Sequence, residues 1–159
     1  MPDNKEFETK FWKSIRSDMT AMVGLSDVHP RPLTAQFDGD AKVIYFFTAS
    51  DTELAESLSQ AKEATLVYAA KGHDLFATVQ GTLAVDNDRA LIDRLWNRFV
   101  AAWFEGGKDD PKLRLLRFDP AEAEIWLDAS SLVAGVKMFL GMGDPKKDYE
   151  DHVATVDLK

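Results

Sequence analysis

The run Arg31-Pro32-Leu33-Thr34-Ala35-Gln36-Phe37, the turn Asp38-Gly39-Asp40, the run Val43-Ile44-Tyr45-Phe46-Phe47-Thr48 and then Ser50-Asp51-Thr52-Glu53 decide how this chain is organised. The second run is almost continuously apolar and rich in aromatic and β-branched residues, which predicts a strand covered on both faces. Asp-Gly between two such runs predicts a hairpin, here with a turn longer than two residues. Ser50 and Glu53 stand at capping-box spacing, so a helix is expected to open there and continue through Leu54 to Leu58. A helix start beside a strand end is a candidate anion site, because its first N–H groups have no partners inside the helix.

Upstream, Phe7, Phe11, Trp12 and Ile15 fall on one side of a helical wheel over residues 5–18, which predicts an amphipathic helix packed on a sheet. Thr20 to Val28 reads as a strand that His29-Pro30-Arg31-Pro32 ends, since proline cannot donate to a ladder. Downstream, Ala64 to Ala70 reads as a buried strand, 71–74 as a turn, and Leu75 to Val85 as a strand with Gly81 a bulge. Leu91, Ile92, Leu95 and Trp96 recur at helical spacing within Arg89 to Phe99, after Asp86 to Asp88. A short helix or turn carries Ala101 to Phe104, and Glu105 to Pro111 is a loop. Leu113–Phe118 and Ala123–Leu127 read as two closing strands, residues 131–140 as a helix, and 143–159 as a charged tail, loose or docked on a partner. Closely spaced strands with inserted rather than alternating helices favour a mainly β fold, an antiparallel barrel with flanking helices, over a doubly wound α/β fold.

A chain of 159 residues fits one domain, assigned to 1–142 with the tail beyond it. A net charge of −8 argues against nucleic acid or an anionic membrane as the main partner. There is no cysteine, hence neither disulfides nor thiolate chemistry. The polar start has no apolar core of a signal peptide, and no stretch is long enough to span a bilayer, so a soluble cytoplasmic protein is expected.

The residues prune most chemistry. His29, His73 and His152 are far apart and lack metal-ligand spacing. No Gly-x-Ser-x-Gly elbow occurs. Gly106-Gly107-Lys108 lacks the first glycine of a phosphate loop, and Gly141-Met142-Gly143 lacks the third of a dinucleotide fingerprint. What remains is an aromatic-rich cleft with few polar groups. Of four tryptophans, Trp12 and Trp96 belong to amphipathic helices and read as core; Trp103 and Trp126 are better placed to line a cleft.

Several short motifs occur together, in order, over nearly the whole chain. They are Phe11-Trp12-Lys13, Arg31-Pro32-Leu33-Thr34-Ala35, Phe46-Phe47-Thr48, Val79-Gln80-Gly81, Leu95-Trp96-Asn97, Ala102-Trp103-Phe104 with Gly106-Gly107-Lys108-Asp109-Asp110-Pro111, and Ala123-Glu124-Ile125-Trp126. In these the chain resembles the flavin-binding split-barrel proteins related to pyridoxamine 5′-phosphate oxidase, and among them the general stress protein 26 group. The resemblance implies a six-stranded antiparallel split β-barrel, a homodimer, and one FMN in each of two interface clefts. It implies that Arg31, Pro32, Leu33 and Thr34 run beside the isoalloxazine, that Phe47 and Thr48 lie against ring and ribityl chain, and that Thr52 meets the phosphate. Trp126 matches the family tryptophan that approaches the flavin from one subunit, and of the two cleft candidates Trp103 or Trp126 is expected to stack near the ligand.

The departures shape the expectation. Where relatives carry basic residues after the hydroxyl, this chain has Glu53 and Leu54, and a carboxylate in the first turn repels phosphate. The positive charge must then come from Arg31, Lys71 or Lys137. The Arg-x-His-type substrate motif of the true oxidases is absent, so pyridoxamine phosphate oxidation is not expected. Any activity would be flavin redox chemistry on an unidentified substrate; the alternative is a non-enzymatic dimer whose cleft takes another planar ligand or none.

Overall fold

The computed structural model describes residues 3–128 and 152–159. A first helix, α1 (Asn4–Ser17), begins where the Asp3 side chain accepts the Glu6 N–H at 2.8 Å. It buries Phe7, Phe11, Trp12 and Ile15, the predicted stripe, against the sheet. The strands are β1 (Thr20–Leu25), β2 (Val28–Thr34), β3 (Ile44–Ala49), β4 (Lys62–Ala69), β5 (Leu75–Val85), β6 (Leu113–Leu127) and β7 (Val153–Asp157). Short helices α2 (Glu53–Glu56), α3 (Arg89–Leu95) and α4 (Arg98–Ala101) and a 3₁₀ turn at Gly107–Asp109 interrupt them. All ladders are antiparallel, in the order β2-β1-β4-β5-β6-β3, with β7 added to β6. This is the antiparallel split barrel the sequence led us to expect, with a seventh strand drawn from the stretch read as a tail.

β3 is covered on both faces, and the alternation shows how. Ile44 and Phe46 enter the main core with Phe118 and Leu116. Tyr45 and Phe47 turn the other way, into a second cluster with Leu91, Ile92, Leu95, Val100, Phe104, Leu113 and Leu115. That second cluster fixes α3 and α4 to the outside of the barrel, and the candidate site lies beside it.

The connectivity departs from the expected hairpin. β2 pairs with β1, after a tight turn at Ser26-Asp27, and β3 pairs with β6. Only one bridge, Gln36 with Tyr45, joins the end of the first run to the second. His29 to Pro32 do not end a strand; they lie within β2. Its prolines are tolerated because β2 is the sheet's edge, where one side of the backbone owes no ladder hydrogen bond.

The two closing strands expected at 113–127 are one continuous strand. Pro120 sits opposite Gly81, at a register shift that follows Gln80. The irregular pairing removes the need for a proline N–H, so the strand passes through. Gly81 is required there, because a Cβ would meet the Phe118 ring at 2.8 Å and press on the Asp119 carbonyl. The helix expected over 89–99 breaks at Trp96 and Asn97. Asn97 caps α4 by accepting from the N–H groups of Phe99 and Val100. The helix expected over 131–140 lies outside the described residues.

Candidate active-site cleft

The exit of β2, the end of β3 and the α4 turn enclose a cavity of about 380 Å³, within the size range of small-molecule sites. Its lining brings together Arg31, Pro32, Leu33, Thr34, Phe47, Thr48, Thr52 and Trp103 of the expected residues. It adds Thr20, Gln36, Ala49, Phe99, Val100 and Phe104. Thr20 arrives by its cross-strand pairing with Thr34, and Gln36 by its bridge to Tyr45.

Thr52, not Ser50, caps the helix. Its Oγ1 accepts the Ala55 N–H at 3.2 Å and donates to the Ala49 carbonyl at 2.9 Å. With that proton committed, the buried Thr48 hydroxyl is the donor in its 3.4 Å contact with Thr52 Oγ1. Such a long contact is weak, so the Thr48 proton is the one most readily turned to a ligand. α2 is a single turn, and Glu53 opens it, exposed to solvent. The α2 end therefore offers little positive field of its own.

Among the described residues, Arg31 is the cation that lines the cavity. Its side chain is partly buried, and Nε is fully buried with no hydrogen-bond partner among the described residues. No described carboxylate pairs with it. Asp38, a nearby candidate in sequence, is held instead by Arg94, with Nε–Oδ1 at 3.2 Å and Nη2–Oδ2 at 2.9 Å. The Arg94 guanidinium lowers the Asp38 pKa below its ordinary value. A buried charged donor without an acceptor is costly, so the geometry is that of a group awaiting an anionic or carbonyl partner.

Aromatic packing sets the wall. The Trp96 ring meets Phe47 edge-on at 6.1 Å and tilts against Phe104 at 6.4 Å. Phe47 is thereby held from behind while it lines the cavity. Phe99 and Trp103 stand at the mouth, 70% and 84% exposed.

Four expected residues stand elsewhere. The Leu54 side chain is wholly buried in the main core, because α2 turns its apolar face inward, so it does not line the cavity. Lys71 lies at a separate groove beneath α1, with Lys10, Lys13, Ser14, Asp18 and Asp74; the turn's Lys71 N–H bonds the Asp18 carboxylate. Trp126 lies on β6, paired with Phe76 and Val153, away from this chain's cavity. Lys137 lies outside the described residues. Among the described residues no His, Cys, Asp or Glu group has the makings of a metal site, and no helix is long and apolar enough to cross a membrane.

A split barrel with a cationic, aromatic-walled cleft between its second and third strands defines the class, and comparison places the chain within it. Residues 6–147 match the family model described as pyridoxamine 5′-phosphate oxidase like, and the chain belongs to that family. General stress protein 26 of Bacillus subtilis is 30% identical over 100 residues, covering 61% of this chain and 69% of the relative. The solved general stress FMN/FAD binding protein of Xanthomonas citri is 51% identical, with a TM-score of 0.75 over 79% of this chain and 92% of that one. A Jannaschia sp. CCS1 structure assigned as general stress protein 26 is 28% identical, with a TM-score of 0.80 over 98% and 99% of the two chains.

Proposed function

We propose that this chain is an FMN-binding general stress-type protein that works as a homodimer, with flavin-dependent oxidoreductase chemistry on an unidentified substrate. The observation that carries the reading is Arg31. Its Nε is a buried donor, unpaired among the described residues, inside a cavity whose other described walls are largely aromatic and hydroxyl-bearing. Those residues fit a flavin. Phe47, backed by Trp96, offers a flat wall for a ring, and the Thr48 hydroxyl offers a donor for a ribityl chain or phosphate. Arg31 supplies the charge that Glu53 and Leu54 do not, and a planar guanidinium can engage two phosphate oxygens at once. The 51% identity to a protein named for FMN/FAD binding supports the same reading.

Bound FMN would supply the electron-transfer chemistry; the protein's part is binding, orientation and the exclusion of water. Among the described residues no side chain lining the cavity is a carboxylate, histidine or cysteine; the proton-bearing side chains that line it are hydroxyls, an amide, the Arg31 guanidinium and the Trp103 indole. The homodimer rests on the outward sheet face. Met22 and Val67 are cross-strand partners there, Phe76 lies on the next strand, and all three are substantially exposed. Met22 is also paired with Pro32, which lines the cavity, so a neighbour seated on this face would reach the cleft. Trp126, in register with Phe76, would enter it from that neighbour.

The visible absorption spectrum of the purified protein tests the reading, followed by titration of the stripped protein with FMN. A flavin spectrum, or saturable FMN binding, is expected. A colourless protein that does not bind added FMN would leave the cleft to another planar ligand.

A further inference from the structure

The longest of the short motifs runs from Trp103-Phe104 to Gly106-Gly107-Lys108-Asp109-Asp110-Pro111, and only its first two residues line the cavity. The rest forms a turn closed by one side chain. Asp110 Oδ2 accepts the Gly106 N–H at 3.1 Å and Oδ1 accepts the Lys112 N–H at 2.9 Å, so a single carboxylate joins the two ends of the turn. These donors hold its carboxyl below the ordinary carboxylate value. Both glycines are needed: a Cβ at Gly106 would meet Asp110 Cα at 2.9 Å, and Gly107 has a φ of 64°. Two surface ion pairs, Lys108 with Asp93 and Arg89 with Asp109, fasten the turn to α3. Two backbone bonds then carry it to the cavity. The Gly107 N–H donates to the Phe104 carbonyl at 3.0 Å, and the Ser50 N–H donates to the Lys112 carbonyl at 2.8 Å. Phe104 belongs to the wall that follows α4; Ser50 stands between Ala49 and Thr52 of the β3 wall.

We infer that the turn at residues 106–111 is a clasp that sets the spacing between the α4 wall and the β3 wall of the cavity, and that Asp110 is its positioning residue. The inference rests on the flavin reading for what that spacing serves. A segment needed only to join α4 to β6 could take many turn sequences, since surface connections tolerate change. This one uses two glycines and an aspartate, and it is bonded at both ends to peptides of the cavity walls. Each peptide is one hydrogen bond from a residue the carboxylate closes: Gly107 follows Gly106, and Lys112 itself holds Ser50. A cleft that receives a flat ring needs its walls fixed to a fraction of an ångström, which calls for support from outside the lining. Because Asp110 acts on the walls and not on a phosphate, its loss should affect FMN and riboflavin alike, in contrast to the loss of Arg31.

The test compares the full chain with Asp110→Ala and Asp110→Asn, titrated with FMN and with riboflavin and followed by flavin fluorescence. Asp110→Ala should weaken both flavins by roughly three- to tenfold, as contact with loosened walls is lost. Asp110→Asn keeps one acceptor oxygen and should fall between parent and Ala; it carries the comparison should the Ala variant not fold. Folded variants that bind both flavins as the parent does would overturn the inference, and so would a loss confined to FMN. Hydrogen exchange of the flavin-free chain reads the clasp without a ligand. Amide protection over 98–104 and over 50–55 should fall in the variants, while β4 stays as protected as in the parent. A fall confined to 105–113 would reduce the turn to a local connection and overturn its role. Failure of the parent to bind either flavin would strike the flavin reading instead, and the exchange result would still decide whether the turn holds the two walls.

Discussion

Asp38 and Arg94, from the loop before β3 and the last turn of α3, form a two-point ion pair, with Nη2–Oδ2 at 2.9 Å and Nε–Oδ1 at 3.2 Å. The pair has two effects. It ties the 38–42 loop to α3, a loop that Arg16 also holds through the carbonyls of Gly39 and Ala41. It also commits the Asp38 carboxylate, and no described carboxylate pairs with Arg31.

Arg31→Ala should therefore cost FMN much more than riboflavin. Loss of charge-assisted bonds to the phosphate is worth about 1.5–3 kcal/mol, and riboflavin has no phosphate to lose. Titration of both flavins into parent and variant reads this directly. Equal losses for the two ligands would move the phosphate contact to another cation.

The Asp38–Arg94 pair predicts a pH signature. The Arg94 side chain lowers the folded-state pKa of Asp38, so its contribution to stability is fully present above the unfolded carboxyl value of about 3.9. It is lost as pH falls through the lower folded value. Asp38→Asn should melt below the parent at neutral pH, and the gap should close at strongly acid pH. Thermal melts across that range, monitored by circular dichroism, provide the check; a gap that persists in acid would mean the carboxylate's charge is not its source.

Gly81→Ala should destabilise the fold by about 1–3 kcal/mol through overpacking, because the new methyl would strike Phe118 and the Asp119 carbonyl. Urea unfolding measures it. A neutral result would show that the β5–β6 irregularity can open without loss.

Val67→Lys places a charge at the centre of the outward apolar face, opposite Met22 and Thr78. The variant should keep its circular dichroism spectrum, sediment as a monomer and lose flavin affinity along with dimerisation. An intact dimer would put the subunit contact on another surface.

What the sequence revealed depended on the range of the interaction. The α1 stripe, the two-sided burial of β3 and the Gly81 irregularity are local patterns, and each was readable from spacing and residue type. The β3–β6 ladder was not, because Asp-Gly proposes the nearest partner whereas the apolar pattern of Ile44 to Thr48 suits any strand. The Ser26-Asp27 turn offers only two polar residues between apolar runs, so β1 and the start of β2 fused into one reading. β7 follows a charged stretch and is only five residues long; it exists because β6 offers it an edge. Residues of the cleft that sit within the short motifs, Arg31 to Thr34 and Phe47 to Thr52, came together as their neighbourhood in sequence suggested. Thr20 and Gln36 enter through pairing across strands, which no single stretch displays. Phe99 enters from α4, four residues before Trp103 in the turn that follows.

β6 is the strand on which β3, β5 and β7 all depend, and its place late in the chain sets an order on biosynthesis. While the chain grows from its N-terminus, β1, β2, β4 and β5 can pair as soon as each is made. β3 cannot, since its ladder partner at Leu113 to Phe118 has not yet left the ribosome. The apolar run Ile44-Tyr45-Phe46-Phe47 must wait, both faces unprotected, for a contact distant in sequence. Long-range pairings of this kind are slow to form and leave aggregation-prone surface open meanwhile. Truncations that stop short of β6 would strand that run permanently and should be recovered as aggregates.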